Sequence, residues 1–129
     1  MRRRSAALKD EAGVYHVASR LSQEGFHATL TRVAGKASGG ADVLAGLPGV
    51  YATVPIAVRT TECTPAGDCE WRVGKAALAD DGGLFVALVD LKRYEALPRV
   101  WLVPSTQISG DFASRESGSN IATGVLRRS

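Results

Sequence analysis

Gly40-Ala41-Asp42-Val43-Leu44 and, past a short loop, Val54-Pro55-Ile56-Ala57-Val58-Arg59-Thr60-Thr61 are the two stretches on which the reading of this chain turns. Each reads as a strand of β-favouring residues, with Asp42 on the first and Arg59 on the second the polar residues of one face. The strands are placed at Ala41 to Ala45 and Tyr51 to Thr61, and Gly46-Leu47-Pro48-Gly49 between them is turn-forming. Ala57 and Arg59, two apart on the second strand, share a face. Pro55 has no amide hydrogen to give to a ladder, which predicts an edge position or a bulge near the start of its strand.

Upstream, Ala6 to Glu24 is helical: Leu8, Val14, Val17, Ala18 and Leu21 recur at three- and four-residue spacing. Ser5 is a suitable N-cap, and Gly25 stands where a left-handed C-terminal residue belongs. Gly13 costs this helix a little, tolerable where another backbone packs against it. Phe26 to Val33 alternates as a first strand, and Gly35 to Gly40 is loop.

Downstream, Glu70-Trp71-Arg72-Val73 is expected to pair back as a fourth strand, and Lys75 to Ala79 to form one helical turn. Leu84 to Leu91 is almost continuously apolar, the mark of a central strand buried on both faces. Val100 to Pro104 is a further strand, and Ser105 caps a short helix reaching Ile108. From Gly110 no apolar period survives, which predicts a loosely ordered tail. The expected fold is α/β: a mixed sheet of about five to six strands with the N-terminal helix packed on one face. The domain spans 6–109, between a basic arm at 1–5 and a polar tail at 110–129.

A chain of 129 residues is one domain. No stretch approaches the roughly 18 apolar residues that span a bilayer, so no membrane role is expected. Arg2-Arg3-Arg4 resembles the start of a signal peptide, but Lys9, Asp10 and Glu11 interrupt the apolar region it would need, and the cytoplasm is the default compartment. The formal charge is +3. Five of the 16 basic side chains (Arg2, Arg3, Arg4, Arg127 and Arg128) lie in the tails; the remaining eleven face 13 acidic ones, a balance of −2. Any nucleic-acid affinity therefore needs a local patch or the arms.

Cys63 and Cys69 flank Thr64-Pro65-Ala66-Gly67-Asp68, a turn that brings their backbones close. A zinc site normally takes four ligands, and the two histidines, His16 and His27, lie far upstream. Two free thiols across a hairpin are expected in a reducing compartment, with a redox-sensitive disulfide as the alternative.

Three segments carry a resemblance: Ala12 to Leu21 continuing to Gly25-Phe26; Asp42-Val43-Leu44 with Ile56 to Thr61; and Leu84 to Leu91 with Pro98 to Ser105. In order and spacing they resemble the PD-(D/E)XK nuclease-like superfamily, with its restriction-endonuclease-like fold. Small bacterial members associated with group I intron endonucleases are the nearest likeness, over roughly residues 10–108. The resemblance implies a DNA-directed phosphodiesterase, or a binder of nucleic acid, using Mg²⁺, with a homodimer also compatible. In such sites the hairpin Asp and an acid on the next strand ligate the cation, while a Lys two residues on orients water or stabilises charge. A helix Glu often assists.

Carried onto this chain, Asp42 fits the metal-ligand role. Ala57 stands where the acid belongs and ligates nothing; Arg59 stands for the Lys, keeping the charge but unable to act as a base. The helix Glu position falls on Val14, and Glu11, one turn earlier, is a displaced substitute. The catalytic candidates are thus Asp42, Arg59 and Glu11, with Asp42 as metal ligand. Glu62 is expected on the opposite strand face. The plainer reading makes Asp42 and Arg59 an interstrand ion pair, and Trp71 and Trp101 core residues. Two functions compete: a nuclease-like enzyme, or a non-catalytic member of the same fold acting as a DNA-binding or protein-interaction module. A thiol role for Cys63 and Cys69 is a weaker third.

Overall fold

The computed structural model describes residues 6–31, 41–64, 66, 69–74, 83–91, 98–107 and 123–128. One helix, α1 (Ala6–Gln23), precedes β1 (His27–Leu30), β2 (Val43–Gly46), β3 (Thr53–Thr61), β4 (Cys69–Gly74), β5 (Phe85–Asp90), β6 (Arg99–Pro104) and β7 (Thr123–Arg128). The fold is α/β, with a five-stranded mixed sheet in the order β1-β2-β3-β5-β6. The first three strands form an antiparallel meander, β3 and β5 run parallel, and β6 returns antiparallel to β5. A parallel pair needs a crossover, and that connection holds the cysteine turn and β4.

The helix ends where its chemistry says it should. Gly25 takes φ 96°, Phe26 N–H bonds the Leu21 carbonyl at 2.9 Å, and Gly25 N–H bonds that of Ser22 at 3.1 Å. This pair of bonds satisfies the last turn's carbonyls and turns the chain towards β1. Val14 and Val17 bury one helix stripe against Val43, Ala45, Ile56, Val58, Ala87 and Val89. Gly13 meets the side chain of Thr60, so the close approach is to β3 through a side chain rather than through backbone.

Strand alternation sends the other residues to the far face. There Ala57, Val86 and Leu88 pack with Trp71 and Cys69 of β4, and with Trp101 and Val103 of β6. Residues 86–90 are all buried, as expected for a strand with neighbours on both edges and cover on both faces.

Three expectations change. Pro55 lies in a strand with partners on both sides, not at the sheet edge. It is tolerated because β5 pairs with β3 only from Ile56 onward, leaving Pro55 beside β2 alone. The segment around Trp71 does not join the main sheet: β4 pairs antiparallel with β7 in a separate two-stranded sheet. β7 lies in the stretch expected to be loosely ordered; Gly124-Val125-Leu126 is too short an apolar run to show a period. A helical turn begins at Ser105, while the one expected over Lys75 to Ala79, the arm at 1–5 and the Ser5 cap lie outside the described residues.

Candidate functional site

Asp42 is the residue just before β2, and its carboxylate is fully buried. Its position follows from the ladder. β2 begins at Val43 opposite Ile56, so β3 runs on past the end of its partner. Val58 would leave an unpaired N–H on that side, and Asp42 Oδ2 accepts it at 2.7 Å. The carboxylate thus continues the sheet's hydrogen bonding by side chain, which offsets part of the cost of burying it.

Arg59 meets it there. Its Nη1 lies 3.4 Å from Asp42 Oδ2 and donates to the Val58 carbonyl at 2.9 Å. The first distance is long for a charge-assisted bond, so the short backbone bond is Asp42's principal contact of the two. The guanidinium side chain keeps 23% of its surface exposed. Asp42 and Arg59 therefore share one side of adjacent strands.

That side is the one away from α1. Ile56 and Val58 pack on the helix, whereas Ala57 belongs to the cluster around Trp71. The other expected participants separate accordingly. Glu11 rides on α1, across the sheet from Asp42. Val14 is core, and Glu62 lies on the helix side, 3.9 Å from Lys9 Nζ. Ala57 has no exposed surface, so its position is filled by packing rather than open to a ligand.

A hard divalent cation wants several oxygen donors around an accessible space. Asp42 offers a buried carboxylate already bonded to Val58 and beside a guanidinium, Ala57 offers nothing, and Glu11 is behind the sheet. The residues present do not fit Mg²⁺. Among the described residues, the side chains that do gather in metal-ligand proximity are Cys63, Cys69 and Asp90.

This second cluster repeats the first. Asp90 ends β5 opposite Thr61, and its fully buried carboxylate accepts the N–H of Cys63, two residues further along the β3 chain, at 2.9 Å. Its other oxygen takes Arg99 Nη2 at 2.9 Å. Arg99 in turn lies 5.1 Å from the Trp101 ring centre, and Trp101 meets Trp71 edge-on at 5.6 Å. Trp71 Nε1–H donates to the Val89 carbonyl, so the Trp71 indole is a core residue, with the half-buried Trp101 packed at its edge. Asp90 is the one charge inside the apolar run at 84–91, and that is its signal in the sequence.

The expectation of free thiols is corrected: Cys63 and Cys69 form a disulfide. Their Cα atoms stand 4.4 Å apart, within bonding range. On the helix face, Val17, Arg20, Leu21, Glu24, Ile56, Val100 and Leu102 line an open groove of about 170 Å³. That is too small to enclose a ligand of nucleotide size. Among the described residues no helix is long and apolar enough to cross a membrane. Comparison with known protein families, with curated proteins and with solved structures gives no match.

Proposed function

We propose that this chain is a non-catalytic member of the PD-(D/E)XK nuclease-like kind, working as a binding module. The single observation that carries the reading is the state of Asp42: its carboxylate is buried and bonded to the Val58 N–H of its own sheet. The helix, the meander and the parallel β3–β5 pair support the family resemblance. The buried Ala57 and the remote Glu11 support the loss of hydrolysis.

A protein partner is favoured over DNA. The β2–β3 hairpin exposes Leu47, Val50, Tyr51 and Val54, with Tyr51 free of any cover. Residues 43–64 contain one basic side chain, Arg59, and it is beside Asp42. Apolar and aromatic groups without positive charge suit a protein surface better than a phosphate backbone.

The test combines calorimetry with Mg²⁺, cleavage of supercoiled plasmid, and fluorescence anisotropy with labelled duplex DNA. The expected result is no heat of Mg²⁺ binding, no nicking and no salt-sensitive DNA binding. Mg²⁺-dependent nicking abolished by Asp42→Ala in a folded variant would restore the enzyme reading.

A further inference from the structure

We propose that, once its disulfide is opened, the Cys63–Cys69–Asp90 cluster is a binding site for a thiophilic divalent cation of the zinc class, so that bridge and metal are alternative occupants of one place in the fold. The two sulfurs and a carboxylate oxygen of Asp90 lie within 4.8 Å of one another. They come from three chain segments already fixed: the end of β3, the start of β4 and the end of β5.

Donor chemistry selects the ion. Two thiolates and one carboxylate suit zinc and its borderline-soft relatives, and exclude the oxygen-demanding Mg²⁺. Charge supports the same assignment. Cys69 and Asp90 are buried, so an uncompensated charge would be costly there. Two thiolates and a carboxylate are offset by a divalent cation together with Arg99, which already holds the other Asp90 oxygen. The site is then electroneutral. Three protein ligands leave a fourth tetrahedral position for water or an outside donor.

Access is through Cys63, the half-buried member of the pair, beside the exposed Thr64. A dithiol or phosphine reductant supplies two electrons. The S–S bond breaks, each sulfur takes a proton, and the dithiol closes to its own disulfide or the phosphine takes oxygen from water. The cation then displaces both thiol protons to solvent. An intact bridge leaves neither sulfur able to act as a thiolate ligand.

The experiment titrates Co²⁺, then Zn²⁺, into the whole chain reduced with a water-soluble phosphine. One cobalt per chain is expected, with sulfur-to-cobalt charge-transfer absorption that Zn²⁺ abolishes and that the oxidised chain does not show. Cys69→Ser should lose the band. Asp90→Asn, which keeps an acceptor for Cys63 N–H, should weaken cobalt binding by at least about tenfold. A reduced chain that keeps its native circular dichroism yet shows no band in excess cobalt overturns the proposal. Unchanged affinity in Asp90→Asn does so as well, since the pair of cysteines would then bind alone. Where reduction unfolds the chain, Zn²⁺ must restore the native spectrum, and failure to do so is equally fatal.

Discussion

Two aspartates do the same work on the two flanks of β3, near its C-terminal end. Asp42 takes the N–H of Val58, Asp90 takes that of Cys63, and each stands beside an arginine on the face away from α1. Removing either carboxylate leaves a backbone donor without its acceptor, a fully buried one in the case of Asp42. Asp42→Ala should therefore cost about 3 kcal/mol in urea unfolding. A surface ion pair would lose less than about 1 kcal/mol, and that smaller value would refute the role given to Asp42. Ala57 makes a sharper case. Rebuilding a nuclease-like acid-x-Lys pair by Ala57→Glu with Arg59→Lys should drive a carboxylate against Trp71, Leu84 and Val86. The expected outcome is a loss of about 3 kcal/mol or more and no plasmid nicking. A stable double variant that nicks DNA with Mg²⁺ would show that the position opens to solvent.

The helix carries two further consequences. Alanine is ordinarily about 1 kcal/mol better than glycine within a helix. At position 13, however, an added Cβ would overlap Thr60 Oγ1, with Thr60 Cβ at 3.1 Å. Gly13→Ala should thus destabilise, by about 1–3 kcal/mol, and Thr60→Ala in the same chain should recover most of the loss. Additive effects in the double variant would deny the contact. His16, one turn on, titrates below its ordinary 6.5 because burial disfavours the charged ring, with Arg20 adding repulsion and a bond to the Pro98 backbone opposing. Its Nε2 has no partner among the described residues, so a second ring proton would find no acceptor. A base with a lowered folded pKa contributes stability that is full above 6.5 and falls as the pH drops towards the folded value. Comparing urea midpoints at about pH 7.5 and about pH 5 should show a smaller fall in His16→Gln than in the parent chain.

Considered as one body, the domain is a sheet covered on one side by α1 and on the other by the crossover that carries β4. The Cys63–Cys69 bridge ties that crossover to the end of β3. Opening it without supplying metal should lower the stability by about 2 kcal/mol, the value for so short a loop, measured as a shift in the urea midpoint. No shift would mean that the crossover is held by Trp71 and its neighbours alone. A cross-link of this kind persists in oxidising surroundings and is open in reducing ones, so the state of β4 depends on where the chain resides.

Local periodicity carried much of this molecule in plain view. The three- and four-residue spacing of Val14, Val17 and Leu21 determined α1, with Gly25 ending it, and the apolar run at 84–91 determined the buried central strand. Strand alternation put Ala57 and Arg59 on one face; that Asp42 faces them was implied by the family resemblance, and Asp42 meets Arg59 there. These are properties of neighbouring residues, and a period of 2 or 3.6 is readable from them alone. The opposite holds for everything that depends on which surfaces come together over long sequence separations. Only the packed structure decided that α1 covers the other face from Asp42, that β4 leaves the sheet to pair with β7, and that Asp90 joins the two cysteines. Side-chain alternation says that two residues share a face; which layer covers that face is settled by burial of the whole apolar surface at once.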